Sequence, residues 1–283
     1  RPRDPKPLSQ KRQTQLIAGV MSRMKQLYQA RLASGALLPD PAQAVAVERL
    51  DALAKAVSGA RGWLDLGGRA IPKGLYVWGA VGRGKSMLMD MFFEAAAIRE
   101  KRRVHFHDFM LDAHAFIFEW RKLSPADKRR HAAYVRDAGD DPIAPAAKHI
   151  ADGASLLCFD EFHVSQIADA MILGRLFGQL FDRNVVVVAT SNRKPSDLYL
   201  NGINRQLFVP FIKRLEEELD VIELKAARDF RLDRLTAAPV YYSPLGPAAD
   251  AKMNEAFARL TAGAAPSSAM LDVQGRHLHI QKQ

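Results

Sequence analysis

The chain has 283 residues, of which 48% are hydrophobic, and a formal net charge of +10; this suffices for one large or two small domains with a sizeable core. Its apolar runs fall far short of the roughly 20 residues of a membrane-spanning helix. The single cysteine, Cys158, excludes an internal disulfide framework and fits a reducing compartment. The charge is unevenly placed. Residues 1–31 hold Arg1, Arg3, Lys6, Lys11, Arg12, Arg23, Lys25 and Arg31 against Asp4 alone, so +7 of the +10 sits on an N-terminal arm. Such an arm suits nucleic acid, anionic lipid or an acidic protein. It lacks the apolar core of a signal peptide, and Pro2, Pro5 and Pro7 set it apart from a transit peptide. A first residue Arg1 rather than Met predicts a trimmed fragment.

Residues 8–35 read as one basic helix, with Leu16, Ile17, Val20, Met21, Met24 and Leu27 at helical spacing and Gly35 at its end. Leu38-Pro39-Asp40-Pro41 is a break. A second helix is predicted over about 42–57, with Val45, Leu50, Leu53 and Val57 on one face. Gly67-Gly68 leads to a first strand, Leu75–Trp78. Four further strands are predicted at 103–106, 156–160, 185–190 and 221–224, alternating with helical segments. This alternation predicts a parallel α/β sheet, and the run Val185–Val188 suits a strand buried on both faces. Residues 121–149, rich in Lys, Arg and Pro, read as a surface insertion with a basic helix, and Phe116-Ile117-Phe118 reads as helix core. A short helix is predicted near 253–260. The domains expected are an N-terminal basic extension (1–66), a core (67–235) and the start of a C-terminal region (236–283).

Between the first strand and the helix that follows it, Gly79-Ala80-Val81-Gly82-Arg83-Gly84-Lys85-Ser86 fits G-x-x-x-x-G-K-[ST]. Its glycines let backbone N–H groups approach phosphates, and the following helix presents its positive end. In this role Lys85 reaches the β- and γ-phosphates and Ser86 binds Mg²⁺. Asp160-Glu161 ends a buried strand. One carboxylate suits the Mg²⁺ shell (Asp160) and its neighbour the attacking water (Glu161). Asn192, at the end of the fourth strand, suits a hydrogen bond to that water or to the γ-phosphate. Arg205 and Arg214 are both candidates for a cation supplied in trans to a neighbouring copy's γ-phosphate. His105 and His107 are two apart, a spacing that a strand would point to one face, and no cysteine or carboxylate cluster completes a metal site with them. His163 lies beside the acidic pair, and Cys158 reads as inert packing.

Together these residues resemble an AAA+ ATPase, a P-loop NTPase core of five parallel strands flanked by helices. More narrowly the chain resembles the ZapE family of bacterial cell-division ATPases, whose mitochondrial relatives are the AFG-type ATPases. The matching stretches are Gly74–Gly79, His105-Phe106-His107 with Phe109-Met110, Phe159–Phe162, Val164–Leu173, Thr190–Arg193 with Pro195 and Leu198-Tyr199, and Asn201-Gly202 through Arg205, Phe208 and Pro210–Ile212. The resemblance implies a cytoplasmic ATPase, with ATP and Mg²⁺ as cofactors, that remodels FtsZ or another protein substrate; arginines acting in trans add the expectation of ATP-dependent self-assembly. A nucleic-acid-stimulated motor or helicase-loader-like ATPase is the alternative, motivated by the basic arm and Lys128–Arg130. Family members extend past this chain's end into a helical part with a Ser-Arg-Leu stretch. No counterpart follows Arg276, so a sensor 2 arginine is unassigned.

Overall fold

The structure is a computed structural model, and it describes residues 21–58, 71–225, 243–244, 246–260, 268–273 and 276–280. The arm before residue 21, Gly67-Gly68 and the stretch from 226 through Pro239 lie outside the described residues. The chain divides into two compact units, Arg1–Asp229 and Phe230–Gln283.

The first unit is built on five parallel strands: β1 (Gly74–Trp78), β2 (Lys101–His105), β3 (Leu156–Asp160), β4 (Val186–Ser191) and β5 (Leu219–Glu223), in the order β2-β3-β4-β1-β5. The five-stranded parallel sheet expected from the sequence is therefore present. Its central strands bury both faces, because side chains alternate sides with a period of two. Leu75, Val77, Leu156, Cys158, Val186 and Val188 join one cluster; Tyr76, Leu157, Phe159, Val187 and Ala189 join the other.

Helices α1 (Arg23–Ala33), α2 (Pro41–Ser58) and α3 (Lys85–Ala95) cover the first face. Asp40 starts α2 by accepting from the N–H groups of Ala42 and Gln43 at 2.7 and 3.2 Å, and Pro41 takes the first helical position, where no N–H is needed. The buried stripe of α2 runs through Ala46, Val47, Leu50, Leu53, Ala54 and Val57, while Val45 is exposed, contrary to its expected inward place. Along the second face run α4 (Phe106–Lys122), α6 (Ile143–Gly153), α7 (Ile167–Asp182) and α8 (Val209–Glu218), while the short α5 (Pro125–Arg130) buries none of its residues. The core there is aromatic. Phe106, Phe109, Phe159, Phe162 and Phe177 contact one another, with Phe106–Phe162 and Phe109–Phe159 centroids 4.2 and 4.8 Å apart; such pairs add about 0.5–1.5 kcal/mol each beyond burial.

Three expectations are corrected here. Residues 121–149 are not one surface insertion. Arg121 and Lys122 close α4, and Ile143–Ala147 enter the core as the first turns of α6. The prolines misled, since Pro145 stands in the first turn, where a missing N–H costs nothing. β2 ends at His105 and α4 begins at Phe106, so His105 and His107 do not share a strand face. Phe118 is exposed, with Lys122 Nζ 3.9 Å above its ring, although Ile117 is core.

In the second unit α9 (Pro247–Leu260) starts earlier than predicted, and an unexpected antiparallel hairpin follows, β6 (Ala269–Val273) with β7 (Arg276–Ile280). Among the described residues no helix is long and apolar enough to cross a membrane.

Candidate active site

The carboxyl ends of β1, β3 and β4 converge, because the three strands are parallel neighbours. The chain leaving β1 turns at Gly79, whose N–H donates to Ser191 O at 3.2 Å. A Cβ at Gly79 would lie 2.8 Å from Leu224 O, so the backbone just after β5 leaves room only for glycine. The loop Gly79–Ser86 then passes through left-handed backbone at Gly82 and Gly84 (φ 80° and 82°) into α3, which Lys85 opens. Lys85 Nζ donates to Gly79 O and Ala80 O at 2.8 and 2.9 Å, which holds the ammonium over the loop. Ser86 is exposed at the start of α3, and Ala80 and Val81 are exposed at the loop tip.

Asp160 and Glu161 differ in almost every respect. Asp160 is buried at the last position of β3. Its Oδ2 accepts from Arg103 Nε at 2.7 Å and its Oδ1 from the Thr190 hydroxyl at 3.3 Å. Arg103 sits opposite Cys158 on β2, one strand over, and also pairs with Asp90 of α3. One guanidinium thus ties two strands to the loop helix. Glu161 is exposed, beyond the strand, with φ 55°. That conformation is uncommon for a residue with a Cβ. It is supported here by the Thr190 hydroxyl, 3.3 Å from Glu161 N, and by Phe162 N donating to Thr190 O at 2.7 Å. The turn swings Glu161 out of the sheet while Phe162 returns to the core.

Asn192 is exposed immediately after β4. The segment beyond it is anchored by Tyr76, whose buried hydroxyl donates to Arg193 O at 2.9 Å. The expected arginines make their contacts elsewhere. Arg205 donates to Ser196 O at 2.7 Å, and Arg214 pairs with Asp182 at 3.2 Å and Glu218 at 2.8 Å. Arg214 borders a groove of about 450 Å³ with Met171, Ile203 and Leu207. The structure thus brings the loop, the acidic pair and Asn192 to one sheet end, and gives both arginines other partners.

His163 is exposed; partial burial, and then the charge of Arg193, hold its pKa below the usual 6.5. Burial pushes the Cys158 thiol up, so it stays protonated, in keeping with inert packing. Two site residues lay outside the expected set. Arg103 had no sequence signal, since its partners lie 57 and 13 residues away. Gln43 is completely buried, and its Nε2 donates to Arg83 O at 3.2 Å. A signal for it existed: Asp40-Pro41-Ala42-Gln43 has the form of a helix start. Within the family-like Val164–Leu173 stretch, buried Asp169 pairs with His114 Nε2 at 2.8 Å and fastens α7 to α4.

A family model described as AFG1-like ATPase matches residues 21–283. Among curated proteins, the chain is 44% identical over 214 residues to lactation elevated protein 1 homolog B of Danio rerio, covering 75% of this chain and 42% of that protein. It is 38% identical over 206 residues to the cell division protein ZapE of Escherichia coli K12, covering 73% of this chain and 51% of the relative. The chain thus spans about half the length of the curated relatives it matches. Among solved structures it is similar to AMPPCP-bound DnaA from Aquifex aeolicus, with 14% identity, a TM-score of 0.44, and coverage of 71% of this chain and 52% of that one. The P-loop AAA+ fold expected from the sequence is the fold observed: a parallel five-stranded sheet with a glycine loop and helix after its first strand.

Proposed function

This chain belongs to the AFG1-like ATPase family, and from that premise we propose that it hydrolyses ATP at Gly79–Ser86 in a Mg²⁺-dependent reaction and uses the cycle to remodel a protein partner. One observation carries the reading: a glycine loop and a buried–exposed carboxylate pair meet at one sheet end and are joined through β4 by Ser191 and Thr190. In this reading the N–H groups of Gly79–Lys85 and the Lys85 ammonium hold the β- and γ-phosphates. Glu161, exposed at the same sheet end, is proposed to orient the attacking water and take its proton. Asn192 adds a hydrogen bond to that water or to the γ-phosphate.

Ser86 and Asp160 offer oxygen donors, the type Mg²⁺ takes. An ion that keeps several waters and shares the substrate's phosphates needs only one or two such protein ligands, so these residues fit. Both Asp160 oxygens already accept hydrogen bonds, which suits contact through water. When bound, the ion would neutralise charge growing on the phosphates.

Because Arg205 and Arg214 are engaged away from their own loop, the cation that stabilises the transition state is proposed to come from a neighbouring copy, so ATP drives self-assembly. Light scattering with and without ATP tests this, and unchanged scattering counts against it. The resemblance to ZapE supports a cytoplasmic role with FtsZ as the first partner to test, and the basic N-terminal arm suits an acidic filament. The decisive experiment is ATP turnover by the purified chain with Mg²⁺, followed by a pull-down with Glu161→Gln. The variant should hold ATP and retain the partner; a variant that turns over ATP like the wild type would remove Glu161 from the mechanism.

A further inference from the structure

The structure assigns Gln43 a role that depends on the phosphate-loop reading above: it is a positioning residue that sets the Arg83–Gly84 peptide for phosphate binding. Gln43 occupies the third position of α2, behind the Asp40 cap. A glutamine there ordinarily reaches back to the N–H of the capping residue. Here the side chain turns away, and Nε2 donates to Arg83 O across 40 residues of sequence. A peptide unit is planar and trans, so the Arg83 carbonyl and the Gly84 N–H point in opposite directions. Anchoring the carbonyl toward α2 therefore aims the Gly84 N–H away from α2, to the other side of the loop.

Gly84 itself leaves the space for this contact. A Cβ there would stand 3.0 Å from Gln43 Nε2, and the residue's φ of 82° also favours glycine. The opposite end of the amide shows what the arrangement costs. Gln43 Oε1 is buried without a hydrogen-bond partner. An apolar side chain of the same length would remove that penalty, so packing alone does not account for glutamine at this place. Control of the loop peptide does, and it makes the α1–α2 layer part of the nucleotide site.

Gln43→Met keeps the length and shape of the side chain and removes both polar atoms. The test compares wild type and variant in the full chain, by calorimetric titration with ATPγS and, separately, with inorganic tripolyphosphate, beside thermal melting without ligand. The expected result is a melting temperature that changes little, because the lost bond to Arg83 O and the removed unpaired Oε1 act in opposite directions, with binding of both ligands weakened about five- to tenfold. KM for ATP should rise while kcat at saturating ATP holds. Equal binding by wild type and variant overturns the proposal. So does a loss seen with ATPγS but not with tripolyphosphate, because Gln43 would then read the base or ribose. Gln43→Asn, which keeps the amide but withdraws it by one methylene, should weaken the same two ligands; wild-type affinity in that variant also overturns the proposal. Failure of the wild type to bind either ligand would sink the site reading itself, whereas the variant results bear on Gln43 alone.

Discussion

The lysine of the glycine loop is held from within the loop, whereas the acidic end of β3 is held by side chains of neighbouring strands. Lys85 folds back on Gly79 and Ala80 within the same eight residues. Asp160 and Glu161 depend on Arg103 from β2 and Thr190 from β4. Lys85 has its restraints within the loop, so its placement should tolerate change in β2 and β3, although the Arg83–Gly84 peptide still answers to Gln43. A region with distant restraints can be disabled from several places, and the two should respond differently to substitution.

Removing the cation of the loop should have the largest effect. Lys85→Ala is expected to abolish nucleotide binding with little change in thermal stability, measured by calorimetric titration and melting; retained binding would show that the loop does not need its lysine. Next comes Glu161→Gln, which should keep ATP binding and lower turnover by about 10²–10⁴-fold. These two variants separate holding the phosphates from attacking them.

The third substitution moves from chemistry to scaffold. Arg103→Met leaves Asp160, a nearly buried carboxylate, without its cation, and should cost about 1–3 kcal/mol of stability in denaturant unfolding. Turnover should fall while nucleotide affinity changes less. If ATP affinity falls as much as turnover, the Arg103–Asp90 pair also sets the loop helix.

The smallest effect concerns His163. Its folded pKa lies below the unfolded value, so the unfolded chain binds the proton more readily. Its contribution to stability is complete above about pH 6.5 and is lost as the pH falls below that. His163→Ala should therefore flatten the melting temperature between pH 7 and pH 5, and an unchanged slope would show that another group sets it.

The same contrast explains what was legible in the sequence. The loop was readable because its glycines, lysine and serine are contiguous and lie between an apolar strand and a helix. The five strands were readable from apolar runs such as Val185–Val188. Arg103 was not, because on its own strand it is one of three consecutive basic residues, and only the register of β2 against β3 distinguishes it. α6 is hidden in the sequence because Pro142 and Pro145 look like breaks, whereas they flank the helix start at Ile143. Gln43 stood in plain view, but a capping sequence does not say that its last side chain will bond to a loop 40 residues on.

Arg103 has one more consequence. Because its single guanidinium bridges Asp90 and Asp160, the two carboxylates are held by a cation of the chain itself. In the proposed Mg²⁺-dependent reaction, a chelator should therefore lower turnover without lowering the melting temperature.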